Sequence, residues 1–351
     1  MITIVKAPAL NAVLLDANNT EITITSSNGS GHYFRALIAV DDAPFDEQGW
    51  SRKDAFTAVK DLVKLYNAYF LSSFTAFTSN GIVEKTNLKK KISIVINEHL
   101  LSTDAIVQTV TLPDFYIMYN AKPVVFNDSL KLQILGITPA VLQIPANGKI
   151  RIPFIVKTVA EAVIVITKDN FGGIINTQTI ASSTAKKIYQ YDFDLSGVTL
   201  AANTNYFETT ITCGTTTTTL RYRLMLLPDF PVKELYFKNN FGYFIPVYFD
   251  GELETSNGFK VDDYQSADGS SIVFEIQEDA QYTINTGSLL TDERAIINQV
   301  ASAYEVYFKI NNSWQKIQTS TKKELEFRDR KHNYSQDLTF TFTKSGKVPN
   351  L

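Results

Sequence analysis

Cysteine and histidine are scarce in this sequence. Its 351 residues include one cysteine, Cys213, and three histidines, His32, His99 and His332, which lie in separate segments. A single cysteine excludes an intrachain disulfide and any zinc site that needs paired cysteines. No group that would activate a thiol stands beside Cys213, so a Cys–His dyad is not favoured and we predict a structural thiol.

Motifs of common catalytic and nucleotide sites are also missing. The sequence has no HExxH, no GxSxG elbow, no P-loop and no GxGxxG fingerprint. Its clearest carboxylate pairs are Asp41–Asp42, Asp192 with Asp194, and Asp262–Asp263. A glycosidase needs two carboxylates about 5 to 10 Å apart, whereas neighbouring acids in a strand point to opposite faces. Calcium at one pair stays open, although no DxDxDG loop supplies its oxygens. We predict solvated turn residues, and no catalytic, cofactor-binding or metal site.

Neither strong charge nor a long apolar run is present. The formal charge is −3 and the isoelectric point is near 5.7, whereas a nucleic-acid surface needs a basic face. The short lysine cluster at 89–91 is typical of the solvated start of a strand. No run of about 18 apolar residues occurs, and the first residues lack a signal-peptide pattern. We expect no nucleic-acid or membrane partner, and folding in a cytoplasm.

Strand patterns dominate what is present. Hydrophobic residues make up 44% of the chain, enough for real cores. Residues 20–25 alternate with period two, a turn-like run follows at 26–31, and 33–40 is a candidate partner strand. Further strand candidates in this part are 91–96, 106–112 and 115–119. They predict a β-rich N-terminal domain over residues 1–120.

One helix is predicted within this domain, over about 52–71. Ser51 is a suitable N-cap, and Asp54 stands three residues later in the capping-box position. Apolar residues then follow at helical spacing: Phe56, Val59, Leu62, Val63, Tyr66 and Phe70. Such a stripe is typical of a helix that faces a core.

A second domain is predicted over 121–229, with a boundary near Ala121–Pro123. Its six strand candidates are 130–137, 149–156, 161–167, 186–195, 205–212 and 218–227. This density predicts an antiparallel sandwich of the immunoglobulin or fibronectin type III kind. Asn147–Gly148 carries the asparagine–glycine signal of a tight hairpin. The prolines of Leu227–Pro231 mark the next boundary.

The third domain, over 230–351, is β-rich with a second helix over about 291–303. Thr291 is the predicted N-cap, and Ile296, Ile297 and Val300 form a short apolar face. We expect this helix to pack on a sheet or to close the end of a barrel. The predicted fold class is therefore mainly β, with multi-domain antiparallel β-sandwiches and two inserted helices.

Aromatic residues are the most informative feature of this last domain. The chain has 23 phenylalanines and 17 tyrosines, and residues 236–251 read YFKNNFGYFIPVYFDG. The aromatics of the domain are Tyr236, Phe237, Phe241, Tyr243, Phe244, Tyr248, Phe249, Tyr304, Tyr307, Phe308, Trp314 and Phe327. They outnumber the positions of one sheet face, so we predict that some face a protein partner. Pure core packing and sugar binding are the alternatives.

Three segments of this domain resemble structural proteins of tailed bacteriophages that infect Bacteroidetes-type hosts. They are ELYFKNNFGYFIPVYFDGELE (234–254), TINTGSLLTDERAIINQVASAYEVYF (283–308) and WQKIQTSTKKELEFRDRKHNYSQDLTFTFT (314–343). The shared pattern is an aromatic strand with asparagine and glycine, an NTG turn before an acidic helix start, and closing strands led by tryptophan. The resemblance covers roughly the last third of the chain.

The resemblance implies a virion structural protein of the tail, tail-tip, connector or baseplate region. Such proteins have no active site, are made in the host cytoplasm, and join copies of themselves and other virion proteins into rings or sleeves. Head-to-tail contacts between strand edges and aromatic patches suit that task. The alternative is a host-recognition or carbohydrate-binding β-sandwich protein. A surface adhesin would need an export signal, and an enzyme is disfavoured by the missing motifs.

Overall fold

A computed structural model describes residues 1–10, 13–14, 21–29, 31–54, 56–61, 73–119, 130–136, 141–157, 161–183, 187–265, 271–319 and 335–342. Its strands form five sheets, almost wholly antiparallel, and the prediction of a mainly β, multi-domain sandwich fold is confirmed. Among these residues, none of the helical segments has the length and apolar character that crossing a bilayer requires.

The first part of the chain forms two sheets around one core. Its strands are β1 (Ile2–Lys6), β2 (Val13–Leu14), β3 (Glu21–Ser26), β4 (His32–Val40), β5 (Ala43–Trp50), β6 (Thr57–Asp61), β7 (Gly81–Glu84), β8 (Lys89–Leu100), β9 (Ile106–Thr111) and β10 (Phe115–Met118). One sheet has the order β1-β3-β6, and the other has the order β2-β10-β8-β4-β5 with β9 also on β8. Alternating residues such as Ile22, Ile24, Phe34 and Ile94 fill the space between them.

The helix predicted over 52–71 is wrong where the structure describes it. Thr57–Asp61 form β6, which pairs antiparallel with β3, and Ala58 is fully buried opposite Ile24. The Asp54 carboxylate accepts hydrogen bonds from the N–H groups of Phe56 and Thr57, both at 2.8 Å, and so shapes a turn. The backbone groups along the open edge of β3 need hydrogen-bond partners. Residues 57–61 supply them as a strand, whereas a helix here would leave the edge of β3 unpaired. Residues 62–71 lie outside the described part.

The middle of the chain is the predicted β-sandwich. Its strands are β11 (Leu132–Ile134), β12 (Val141–Pro145), β13 (Lys149–Val156), β14 (Val163–Asp169), β15 (Ile174–Ile180), β16 (Lys187–Asp194), β17 (Tyr206–Cys213) and β18 (Thr216–Met225). The sheets have the orders β11-β13-β16-β7 and β12-β18-β17-β14-β15. Their inner faces share one core, which includes Phe154, Tyr191, Val165 and Phe207.

The Asn147–Gly148 turn does not close a hairpin, contrary to the prediction. It joins β12, which pairs in parallel with β18, to β13, which pairs with β16 in the other sheet. The turn itself is tight, since the Gly148 N–H donates to the Pro145 carbonyl at 2.9 Å. The chain crosses between the layers here because β12 and β13 both bury apolar residues, on opposite sides of the same core.

The last part of the chain forms one large sheet. Its strands are β19 (Lys233–Lys238), β20 (Phe244–Phe249), β21 (Leu253–Gln265), β22 (Ser271–Asn285), β23 (Val306–Ile310), β24 (Ser313–Thr319) and β25 (Asp337–Phe342). They follow the order β20-β19-β23-β24-β25-β22-β21. The helix α1 (Ala295–Ala301) follows a 3₁₀ turn (Thr291–Glu293).

The predicted second helix is confirmed, and it packs on this sheet. Ile296, Ile297 and Val300 are buried in the same core as the strands. Thr291 is not the N-cap, because Leu290 precedes the 3₁₀ turn and its N–H donates to the Glu293 carboxylate at 2.7 Å. The α-helix proper starts one turn later than predicted.

The parts of the chain share strands and cores. β7, from the first part, pairs with β16 of the middle sandwich. A further apolar cluster takes residues from all three parts: Leu88, Met118, Leu135, Ile155, Ile188, Phe241 and Tyr243. The division at 120 and 229 stays a prediction.

Candidate functional site

A buried arginine joins the three parts of the chain. Arg151 of β13 donates from Nε and Nη2 to the two carboxylate oxygens of Asp192 on β16, each at 2.9 Å. Its Nη1 donates to the backbone carbonyls of Thr75, at 2.8 Å, and Phe244, at 3.2 Å. Gln190 also donates to Asp192, at 2.8 Å. A buried ion pair is tolerated when its remaining hydrogen-bonding groups are satisfied, as they are here.

The ring of Phe74 packs on part of the outer face of the last sheet. The ring of Phe74 stacks on Tyr307, with centroids 4.0 Å apart, and meets Tyr236, Phe244 and Trp314 edge-on at 5.6, 5.2 and 5.5 Å. Edge-on and stacked pairs of this kind are favourable beyond their buried area. Phe74 therefore covers part of a face that the sheet alone would expose.

The asparagine–glycine turn of the aromatic segment is built by its own side chains. The Asn239 amide oxygen accepts hydrogen bonds from the N–H groups of Phe241 and Tyr243, both at 3.0 Å. Its amide nitrogen donates to the Leu135 carbonyl of the middle sandwich at 3.1 Å. Gly242 has a φ of +83°, and an added Cβ would lie 2.9 Å from Leu88. The turn thus directs Phe241 and Tyr243 into the cluster shared by the three parts.

A second polar bridge links the middle sandwich to the last sheet. Arg223 donates to both carboxylate oxygens of Glu293, at 2.7 and 2.9 Å, and to the Gln143 amide oxygen at 3.1 Å. Gln143 in turn donates to the carbonyls of Tyr248, at 2.8 Å, and Thr286, at 3.3 Å. Glu293 is 1% exposed. The NTG turn and the acidic helix start are thereby fixed to the neighbouring domain.

A polar cleft of about 790 Å³ opens beside these bridges. Glu234 lies between two lysines, 3.5 Å from the Lys149 ammonium and 3.3 Å from that of Lys309. Asp194 also lines the cleft, but its carboxylate accepts the Ser196 N–H at 2.8 Å and caps a 3₁₀ turn. A carboxylate held between two cations suits a structural link better than proton transfer.

An acidic cleft of about 320 Å³ lies at the base of the β21–β22 hairpin. Asp229, Asp250, Glu252, Glu254 and Asp337 line it. Burial raises the pKa of the Asp250 carboxyl above its ordinary value, and nearby Asp229 adds to this. Within the described ranges, no three His, Cys, Asp or Glu side chains are grouped to hold a metal ion.

Two of the carboxylate pairs of the sequence contain residues that are ion-paired in the described part of the chain. Asp41 and Asp42 make the turn between β4 and β5, both with positive φ, and pair with Lys90 and Lys91 at 2.7 Å. Asp192 binds Arg151, as described. The side chains of Asp262–Asp263 lie outside the described part. The prediction of turn residues is confirmed for Asp41 and Asp42 and wrong for Asp192, which is buried.

Cys213, His99 and His32 lie in or beside strands of the described part of the chain. Cys213 is fully buried at the end of β17, with Sγ 3.9 Å from a Glu161 oxygen, which confirms the structural thiol. His99 is buried, and its Nδ1 lies 2.9 Å from the Asp104 carbonyl oxygen. His32 begins β4, and His332 lies outside the described part.

Most aromatics of the last domain are core residues, and that some of the others face a partner stays a prediction. Eight are at most 5% exposed: Tyr236, Phe237, Phe241, Tyr243, Phe244, Tyr248, Phe249 and Phe308. Five of the eight lie on β19 and β20, where Phe74 and Arg151 pack against Tyr236, while Phe241 and Tyr243 lie in the cluster shared by the three parts. Tyr304, in contrast, is 74% exposed. Phe327 lies outside the described residues.

Sequence reasoning did not find the pairing of Arg151 with Asp192. The one signal was a lone arginine inside the apolar strand KIRIPFIV, where a charge is costly unless it is paired. The role of Phe74 had no signal, since its ring contacts Tyr236 and Trp314, which lie more than 150 positions away.

Comparison with known proteins identifies no family. No protein-family model and no curated protein matches the chain. Among solved structures, dimeric latent PorU from Porphyromonas gingivalis is 11% identical with a TM-score of 0.17, over 64% of this chain and 20% of PorU. Dpr2 Ig1-Ig2 in complex with DIP-Theta is 10% identical with a TM-score of 0.22, over 98% of this chain and 91% of that one.

The S-layer protein rSbsC is also similar, with 11% identity and a TM-score of 0.19, over 92% of this chain and 40% of that one. The chain spans about a fifth of the length of PorU. Likenesses this distant carry no functional argument.

Proposed function

We propose that this protein is a virion structural component of a tailed bacteriophage, in the tail, neck or baseplate region. It would assemble into a ring or sleeve through contacts with copies of itself and with other virion proteins, and without enzymatic activity. The observation that carries the proposal is the role of the residues on which the sequence resemblance rests. They build the last sheet and fix it to the middle sandwich.

The NTG motif is one such element. The Asn285 side chain accepts the Gly287 N–H at 2.9 Å, and the buried Thr286 exchanges hydrogen bonds with the backbone of Gln336 at 2.9 and 3.0 Å. The Thr286 carbonyl accepts Gln143 from the middle sandwich at 3.3 Å. Asn239 and Gly242 of the aromatic motif likewise hold the last part of the chain against its neighbours, through contacts with Leu135 and Leu88. These motifs fix the parts of the chain to one another. A rigid arrangement of this kind suits a protein that assembles with other copies.

The test is electron microscopy of the purified chain and of particles from a phage that encodes it. We expect rings or sleeves at high protein concentration, and labelled antibody on the tail, neck or baseplate. A monodisperse monomer at every concentration, together with absence from purified particles, would overturn the proposal.

A second candidate is host-surface recognition through carbohydrate. A hollow of about 210 Å³ lies between the end of β19 and α1, and Asn240, Asn298, Gln299 and the exposed Tyr304 line it. An exposed ring beside amide groups is the chemistry that stacks on and hydrogen-bonds a neutral sugar. Glycan-array binding that disappears in Tyr304→Ala would favour this candidate, and a flat array with the wild-type chain would remove it.

A further inference from the structure

In the described part of the chain, the β21–β22 hairpin extends beyond its pairing with the rest of the sheet. There β25 pairs with β22 at Tyr282, Thr283, Ile284 and Asn285. Beyond that point, β21 and β22 continue to pair with each other from Ser256–Gln281 to Gln265–Ser271. We call residues 256–265 and 271–281 the arm. Ten residues of extended strand span about 30 Å.

The arm is a two-stranded ribbon in the described part of the chain. An isolated two-stranded ribbon is marginally stable in water, and its outer backbone groups are a template for another strand. The pairing also shifts register between Asp262 and Asp263, which adds local twist. A third strand from outside the ribbon would satisfy these backbone groups.

Charge indicates which surface receives the arm. Between residues 253 and 281 the sequence has seven acidic residues and one lysine. Residues 121–229, the middle of the chain, have ten basic and seven acidic residues. Opposite net charges favour an encounter between the arm of one copy and the middle sandwich of another.

One edge of that sandwich is β15, which ends the five-stranded sheet opposite β12. In the described residues β15 pairs with β14 alone, and its sequence IINTQTI has no charge. Phe171 and Ile174, at its start, are each 64% exposed. The edge strand β5, in contrast, has Pro44, Asp46 and Glu47, which block strand addition and repel an acidic arm.

We propose that the arm of one copy adds as a strand to β15 of a second copy. This inference rests on the proposed self-assembly and names its contact. The arm and the receiving edge lie in different parts of the chain, so each copy gives one contact and receives another. Such head-to-tail contacts generate rings or helical sleeves.

Cross-linking between separately prepared variants tests the contact. One preparation carries Lys260→Cys in the arm and the other Thr177→Cys in β15, both with Cys213→Ser. The matched control replaces Thr177→Cys with Ala43→Cys, an exposed position on β5 that keeps Pro44, Asp46 and Glu47. We expect the β15 mixture to form the disulfide-linked pair of chains roughly tenfold faster than the control, because pairing raises the effective concentration of the thiols. Equal rates in both mixtures overturn the proposal.

A second variant replaces residues 257–280 with an Asn-Gly turn and keeps the pairs with β25. We expect it to fold, by circular dichroism, and to remain a monomer where the wild type assembles. Assembly that survives this change overturns the role of the arm and leaves the proposed function standing. A wild-type chain that never assembles and is absent from particles overturns the proposed function itself.

Discussion

Arg151 and Asp192 face each other across β13 and β16 and form a buried, two-pronged ion pair with both N–O distances at 2.9 Å. Their side chains are 4% and 6% exposed. The third nitrogen of the guanidinium binds carbonyls from the first and last parts of the chain, so one side chain serves the sandwich and both of its neighbours.

Removing one member of this ion pair is expected to lower the free energy of unfolding strongly. Arg151→Met leaves the Asp192 carboxylate buried without its cation, and we expect a loss of about 3–5 kcal/mol in the free energy of unfolding. The double variant Arg151→Met with Asp192→Leu should lose clearly less than Arg151→Met alone, because no charge remains buried. Urea denaturation of the single and double variants measures this coupling. If the loss in the double variant equals the sum of the losses in Arg151→Met and Asp192→Leu, the expected coupling is contradicted.

Gly242→Ala is expected to loosen the junction. The φ of +83° disfavours any residue with a Cβ, and that Cβ would lie 2.9 Å from Leu88 and 3.0 Å from Tyr119. We expect a loss of about 1–3 kcal/mol in the free energy of unfolding. Gly197→Ala is the matched control, since its Cβ would meet nothing within 4 Å. Equal urea midpoints for the two variants would show that the turn tolerates a side chain.

Asp250 is expected to lower stability at neutral pH. Burial raises the pKa of its carboxyl above the ordinary 3.8, so the folded chain binds this proton more tightly than the unfolded chain. The stability from this proton is complete below about pH 3.8 and is lost as pH rises through the folded-state pKa. Asp250→Asn should therefore be more stable than the wild type at pH 7, with the difference closing in acid.

Urea midpoints from acid to neutral pH measure this difference. Glu252→Gln is the control, because it removes an exposed carboxylate from the same cleft. A less stable Asp250→Asn at pH 7 would contradict the assigned sign.

Cys213 is expected to report unfolding of the middle sandwich. Its thiol is fully buried within the core of that sandwich. We expect no reaction with an aromatic disulfide reagent in the native state and full reaction in urea. Thr177→Cys, on the exposed β15, serves as the positive control. Rapid labelling of Cys213 in buffer would mean that the sandwich opens locally.

The strands were largely predictable because each carries its own pattern. β3 and β4 alternate, β13 and β16 follow the predicted bounds closely, and α1 has its three apolar residues at helical spacing. Residues 57–61 were not predictable in this way. Their apolar spacing fits a helix, and only the open edge of β3 made them a strand.

Local pattern and composition were sufficient for the β class of this protein and for most of its strands, because these depend on neighbouring residues. The place of the aromatic segment depended on contacts with distant parts of the chain. The alternation of Leu235, Tyr236 and Phe237 puts Tyr236 on the second face of the strand. The pattern does not tell whether that face is exposed to solvent or buried by another part of the chain. Phe74 and Arg151, which are distant in sequence, cover the second face. Burial depends on the partner across a surface, and that partner is not encoded in the local pattern.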